Sequence, residues 1–357
     1  MPHLLVTNDF LPKVGGIQTM LWELWRRLPP EEVTVLTTPH PDAARFDAEQ
    51  SFRIERVRDP VLLPTPMLAH RIRRLAREVG AERVVIDPVL PVGALAPHLD
   101  LPYTVVMHGS EVLSRLPGGD ALAGRVLRGA RHVVCAGSYP AAETRRLCGG
   151  EARTPPITIV PPGVDIERFR PGPPDRARFG LPAEVPLVVG LSRLVRRKGF
   201  DVLMEAVARL DDVHVAIGST GRDEARLRSL AHDRVHFVGR VSDEDLPAFY
   251  GCADAFGMLC HDRWGGLERE GFGVVFVEAA ACGTPQVAGR SGGSADAVDD
   301  GVTGVVVDAP RDVDAVAAAL AHVLEPATNA RMRAASRAWA EGFAYDVLAQ
   351  RLAGAIL

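Results

Sequence analysis

Glu270 and Glu278 stand eight residues apart in EGFGVVFVE, with Gly271 and Gly273 flanking Phe272 directly after the first carboxylate. The two glycines permit a tight turn, and the amides of Phe272, Gly273 and Val274 then open a helix, where N–H groups without helical acceptors hold phosphate oxygens. Glu278 is expected about two turns along that helix, and Glu270 in the loop before it. A carboxylate beside a phosphate repels it, so the pair is assigned to accepting hydrogen bonds from sugar hydroxyls on either side of a diphosphate. The ligand this predicts is a nucleotide-sugar.

Other residues suit the same chemistry. Arg193 and Lys198 lie five apart in SRLVRRKG, and two fixed cations stabilise the charge that builds on a departing diphosphate. Arg196 and Arg197 between them read as a solvated basic loop. Gly15 and Gly16 form a turn without side chains ahead of a helix expected from Ile17, and a substrate can approach such a backbone closely. This is not a G-x-G-x-x-G fingerprint, and by itself a glycine pair is commonly only a turn. His108 follows the strand PYTVVM, where it either meets a sugar hydroxyl or caps the strand end, with Glu111 orienting the loop. Asp9 suits a turn cap and an acceptor contact equally. Gly292 and Gly293 suit anion-binding amides and a tight turn equally. Asp243 and Asp245 form a D-x-D pattern of the kind that binds metal elsewhere, but Ser242 and Asp245 also make a helix-capping pattern, which is preferred. No metal cluster is otherwise predicted.

These residues need loops at strand ends to hold them. Apolar runs of strand length alternate with helical patterns, as in HLLVT, IQTMLWELWRRL and VTVLT, so an α/β protein with parallel sheets is expected. The alternation breaks over the proline-rich stretch Pro155 to Pro174 and restarts at PLVVGLS. Two doubly wound domains are expected, with ligands at the carboxyl ends of the strands.

Seven segments, VTNDFLPKVGGIQ, MHGSEV, VPPGVDIERF, GLSRLVRRKGFD, FVGRV, the EGFG stretch and GRSGG, run in order from Val6 to Gly293. Together they resemble the retaining glycosyltransferases with an E-x7-E signature, of the family 4 type, which includes sucrose synthases, trehalose synthases and bacterial lipid mannosyltransferases. VTNDFLPKVGGIQ and WGGLEREGFG look most like the actinobacterial GDP-mannose-dependent phosphatidylinositol mannoside mannosyltransferases. The resemblance implies the GT-B architecture: an acceptor domain over residues 1–165 with a returning helix at 344–357, and a donor domain over 166–343 that closes with it on the donor. It implies that Glu270 binds hydroxyls of the transferred sugar and Glu278 the ribose, and that His108 and the Gly16 loop contact the donor. Arg193 and Lys198 would hold the diphosphate and backbone near Val238 would read the base, with Arg240 contributing. It implies GDP-mannose as donor, no required cofactor or metal, and a glycolipid or sugar acceptor. Where relatives carry Gly-Gly-x-Pro-Glu this chain has GGSAD, with Asp296 in place of the glutamate. A nucleophilic Glu270 is the alternative to front-face attack, in which the departing phosphate takes the acceptor's proton. A UDP-sugar donor with a soluble acceptor, a nucleotide-sugar epimerase and a silent binding protein are the competing readings.

A net charge of -4 and 24% charged residues offer no global attraction to nucleic acid. Five scattered cysteines suit core packing in a reducing cytoplasm. No apolar run reaches the roughly 18 residues of a spanning helix, and MPHLLVTNDF does not read as a secretory leader. In MLAHRIRRLAREV, Leu68, Ile72, Leu75 and Val79 share one helical face and Arg71, Arg73, Arg74 and Arg77 the remainder, so this helix is expected to rest on anionic lipid at the inner face of the membrane. Trp22 and Trp25 add a second amphipathic candidate, with Trp25 equally suited to packing inward beside Leu21 and Leu28.

Overall fold

The computed structural model describes residues 1–109, 117–266 and 268–356. It contains two compact units, Met1–Pro162 with Tyr345–Leu357, and Gly163–Ala344. The first is built on strands β1 (His3–Thr7), β2 (Val33–Thr37), β3 (Arg53–Arg56), β4 (Arg83–Asp87), β5 (Tyr103–Met107), β6 (His132–Cys135) and β7 (Ile157–Ile159). The second is built on β8 (Leu187–Leu191), β9 (His214–Gly218), β10 (Val235–Gly239), β11 (Ala255–Met258), β12 (Gln286–Gly289) and β13 (Gly304–Val307).

Every strand pairing in both sheets is parallel. The orders are β3-β2-β1-β4-β5-β6-β7 and β10-β9-β8-β11-β12-β13, so each sheet starts in its middle and reverses direction between its first and fourth strands. That is the Rossmann-like arrangement the alternating pattern predicts, and the reversal opens a crevice at the carboxyl ends of the strands.

The central strands are largely apolar because helices cover both faces, whereas the edge strand β3 reads RIER and is only partly buried. In the first sheet Leu4, Val6, Val84 and Ile86 pack on one side, while Leu5, Val35 and Val85 pack on the other. The second sheet divides the same way, with Leu187 and Val189 opposed to Val188, Val215 and Ile217. The terminal helix Tyr345–Ile356 lies within the first unit, burying Leu348, Leu352 and Ile356 beside Leu21 and Trp25. Arg27 ties it down through Asp346 at 2.6 Å and its cation over the Tyr345 ring.

The helix Pro66–Glu78 corrects one expectation. Thr65 caps it by accepting from the Leu68 amide at 3.2 Å, and Leu68, Ile72 and Leu75 are buried in the protein core. These side chains already pack in the core cluster of the first sheet and are not available to lipid, so the apolar stripe serves the fold. Its arginines remain on the outer side: Arg74 and Arg77 are exposed, and Arg73 donates to the His98 carbonyl at 2.8 Å. Trp25 is likewise internal, bonding His3 at 3.0 Å, while Trp22 is partly buried and bonds Gln50 at 2.8 Å. All five cysteines are buried.

Candidate active site

In the second unit three loops meet at the carboxyl ends of β8, β11 and β12. The loop after β11 reaches Glu270 and then enters the helix Val274–Ala281 through Gly273, whose φ of 85° belongs to the left-handed region. A Cβ on Gly273 would also stand 2.8 Å from the Phe276 ring. Gly292 and Gly293 after β12 serve close packing: a Cβ on either would come within 2.0 or 2.2 Å of the Glu270 or Gly271 carbonyl oxygen. The Gly293 amide donates to the Glu270 carbonyl at 3.0 Å, so this turn supports the glutamate loop from beneath.

Glu270 is buried, and its Oε2 receives the Lys198 ammonium at 2.7 Å, the Arg197 guanidinium and the Cys260 thiol at 3.5 Å. Its amide donates to Ser291 Oγ at 3.3 Å, and Ser291 donates in turn to Asp262 at 2.7 Å. Burial pushes this carboxyl up, but Lys198 and then Arg197 outweigh burial and hold it below its ordinary value. Burial pushes the Cys260 thiol up to about 12, so it is present as a neutral donor.

The basic loop therefore divides differently from the sequence expectation. Arg196 is exposed, 3.7 Å from Asp223, but Arg197 is not solvated: it turns inward to Glu270 and also lies 3.8 Å from Glu268. A 3-10 turn over Arg196–Lys198 sends neighbouring side chains in different directions. Arg193 is exposed, and no ion pair of it occurs among the described residues.

Glu278 sits along the helix in a different environment. Burial raises its carboxyl above the ordinary value, opposed by the Tyr250 hydroxyl, which donates to it at 2.7 Å, and by Arg168. Val238 is partly buried at the end of β10, and Arg240 is exposed just beyond it. Ser242 and Asp245 bond each other, Oγ to Oδ2 at 2.7 Å and amide to Oγ at 3.2 Å, directly before the helix Leu246–Gly251. Among the described residues no group of three or more His, Cys, Asp or Glu side chains is placed to hold a metal ion.

The first unit has its own polar cluster at the carboxyl ends of β1, β4 and β5. Thr7 and Asp87 are register partners, and Thr7 Oγ1 donates to Asp87 Oδ2 at 2.6 Å. His108 Nε2 lies 2.7 Å from the other oxygen of Asp87, with both side chains buried. Asp9 accepts from Lys13 at 2.9 Å and Gln18 at 2.6 Å, which closes the loop over residues 9–18. A Cβ on Gly15 would strike Gln18 Oε1 at 2.1 Å, whereas one on Gly16 would meet nothing within 4 Å. The helix starts at Gly16 itself, one residue before the expected Ile17. Glu111 lies outside the described residues.

Asp87, Thr7, Gln18 and Cys260 were not singled out as site residues in the sequence, and Arg197 was read there as solvated. For Asp87 a signal existed, since an acidic residue closing the apolar strand RVVID beside the point of strand reversal needs a partner. For Cys260 and Arg197 the partner is remote in sequence.

Comparison with known proteins gives a consistent result. Residues 14–168 match the model described as Glycosyltransferase Family 4, and residues 173–339 match Glycosyl transferases group 1. A GDP-mannose-dependent alpha-(1-6)-phosphatidylinositol monomannoside mannosyltransferase of Mycobacterium tuberculosis is 39% identical, the alignment covering 98% of this chain and 96% of the relative. The Mycolicibacterium smegmatis enzyme of the same name is 38% identical over 94% and 93% of the two chains. A Corynebacterium glutamicum GDP-mannose-dependent monoacylated alpha-(1-6)-phosphatidylinositol monomannoside mannosyltransferase is 34% identical over 98% and 96%. Among solved structures, Anabaena HepE in complex with UDP superposes with a TM-score of 0.80 at 21% identity, covering 99% of each chain. Sucrose-phosphate synthase from Thermosynechococcus elongatus superposes with a TM-score of 0.77 at 20% identity, covering 99% of this chain and 98% of the other. These neighbours have the GT-B fold, which agrees with the fold class expected.

Proposed function

The chain belongs to glycosyltransferase family 4, and from that premise we propose that it transfers mannose from GDP-mannose to a phosphatidylinositol mannoside, with retention at the anomeric carbon. What carries this reading is near-full-length identity of 39% to an enzyme whose name states that donor and that acceptor class.

In this reading the Gly163–Ala344 unit holds the donor. The amides of Phe272, Gly273 and Val274 open the helix, where the first N–H groups have no partner within the helix, and they take the diphosphate together with Lys198 and Arg193. Glu278 accepts from the ribose, and Val238 and Arg240 flank the base. Glu270 accepts from mannose hydroxyls. The first unit, by itself, offers a bare backbone turn at Gly16 and the His108 imidazole held beside Asp87, both suited to substrate contact.

The bond between the anomeric carbon and the β-phosphate oxygen breaks as the acceptor hydroxyl adds on the same face, and the leaving oxygen takes the acceptor's proton. Lys198 and Arg193 stabilise the charge developing on that oxygen. Glu270 is a poor nucleophile here, because a carboxylate paired with two cations has reduced basicity, which supports front-face attack over double displacement. No step calls on a metal. Because the acceptor is a lipid, the reading places the enzyme at an anionic bilayer surface on the cytoplasmic side, with exposed Arg74 and Arg77 available to headgroups.

The test is thermal stabilisation by GDP-mannose, UDP-glucose and their nucleotides, followed by incubation with GDP-mannose and vesicles carrying phosphatidylinositol monomannoside. The expected result is selective stabilisation by the guanine ligands, release of GDP and a lipid extended by one α-linked mannose. Selectivity for uracil ligands, or no extended lipid, overturns the proposal.

A further inference from the structure

The loop after β8 supplies two cations to one buried carboxylate. Lys198 Nζ and Arg197 Nη1 both donate to Oε2 of Glu270, and the Cys260 thiol completes the set at 3.5 Å. Arg197 is held in place from two further sides: its carbonyl accepts from the His261 amide at 3.0 Å, and its Nε lies 3.8 Å from Glu268. Glu268 is shared with Arg263 at 3.3 Å and Arg222 at 3.8 Å, and Asp262 is linked to the Glu270 amide through Ser291.

The two cations differ in what they can do next. Lysine carries a compact charge on a flexible stem with three rotatable donors, and it can redirect them toward a diphosphate. If Lys198 were the only partner, that move would strip a buried carboxylate of its counter-charge, which is strongly unfavourable. The planar guanidinium of Arg197, wedged between Glu268 and Glu270, can stay. We propose that Arg197 is a positioning residue that keeps Glu270 ionised and oriented while Lys198 turns to the donor diphosphate. Arg197 thereby separates two demands on one lysine, since sugar binding by Glu270 and charge stabilisation by Lys198 no longer compete. The inference rests on the donor-site reading given above.

The experiment measures donor KM, kcat and the pH dependence of kcat/KM for Arg197→Gln and Arg197→Lys, with Lys198→Ala beside them. Arg197→Gln is expected to raise the KM for GDP-mannose about tenfold or more, as Lys198 stays with Glu270. It should also shift the acid limb of kcat/KM to higher pH, because Glu270 loses one of its two cations. Arg197→Lys, which keeps the charge, should recover most of the KM and restore the limb. A wild-type KM with an unmoved limb in Arg197→Gln overturns the inference, as does equal loss in both variants without any pH shift, which marks a purely structural arginine. Should Arg197→Gln not fold, Glu270→Gln is compared with Glu270→Gln/Arg197→Gln, in which the pair is neutral. Equal GDP affinity supports action through Glu270, and a tenfold loss means direct donor contact and overturns it. Wild-type transfer by Lys198→Ala would instead remove the donor-site reading itself.

Discussion

Glu270 and Glu278 belong to one motif and one helix start, yet their surroundings push them in opposite directions. Glu270 is buried among cations and held below the ordinary carboxyl value, while Glu278 is raised by burial and has a tyrosine hydroxyl as its close partner. Their spacing along the chain is therefore no guide to their ionisation. One site commits to a full negative charge in a fixed place, and the other is an acceptor whose charge is disfavoured. That division suits a carboxylate close to developing positive charge on a sugar and another that only needs to hold a ribose.

The largest expected effect is kinetic. Glu270→Gln should lower kcat by roughly 10²–10³, because it removes charge next to an oxocarbenium-like sugar, whereas Glu278→Gln should act chiefly on donor KM, by about tenfold, with kcat near wild type. Steady-state transfer assays on both variants decide this, and equal losses of kcat would dissolve the proposed difference in role.

Stability should separate the two more modestly. Glu270→Gln leaves the buried Lys198 without its counter-charge and the partly buried Arg197 with Glu268 alone, at a cost of about 3–5 kcal/mol, whereas Glu278→Gln keeps an acceptor for Tyr250 and should stay within about 1 kcal/mol of wild type. Denaturant unfolding of the two variants measures this. A Glu278→Gln variant that is the less stable of the pair would contradict the electrostatic assignment.

The smallest effect is also the sharpest, since the two sites respond on opposite sides of the ordinary carboxyl value near ~4.3. Glu270 has a depressed folded value, so its contribution is present above ~4.3 and is lost as pH falls through the folded value. Glu278 has a raised folded value, so its penalty is absent below ~4.3 and grows as pH rises through the folded value. Stability profiles of wild type minus each Gln variant should therefore change below that pH for Glu270 and above it for Glu278. Coincident profiles would mean that one environment serves both.

Much of the architecture was readable in advance because its signals are local. Continuous apolar strands such as HLLVT and LVVGL can only be buried on both faces, and their alternation with helical patterns specifies parallel sheets. Gly273 was readable for a similar reason, as its left-handed backbone is cheap only for glycine. Lys198 and Glu270 were legible as a cation and a carboxylate in loops flanked by glycine. Arg197 was not, because its neighbours Arg196 and Lys198 give no sign of which way a 3-10 turn points each side chain. The helix Pro66–Glu78 failed in another way: periodicity correctly gave an apolar face, but the same stripe serves a bilayer or a core equally well, and only the sheet beneath decides.

Residue type and spacing alone thus determined the fold class, the existence of a glycine turn opening the helix Val274–Ala281 and the presence of paired glutamates. Backbone conformation and apolar periodicity are set by residues within a few positions of each other, so these are encoded locally. Tertiary structure decided which groups share charge: Arg197 and Lys198 with Glu270 across more than 70 positions, Tyr250 with Glu278 across 28, and His108 with Asp87 across 21. Electrostatic coupling depends on distance and dielectric in space, and neither quantity is written along the chain.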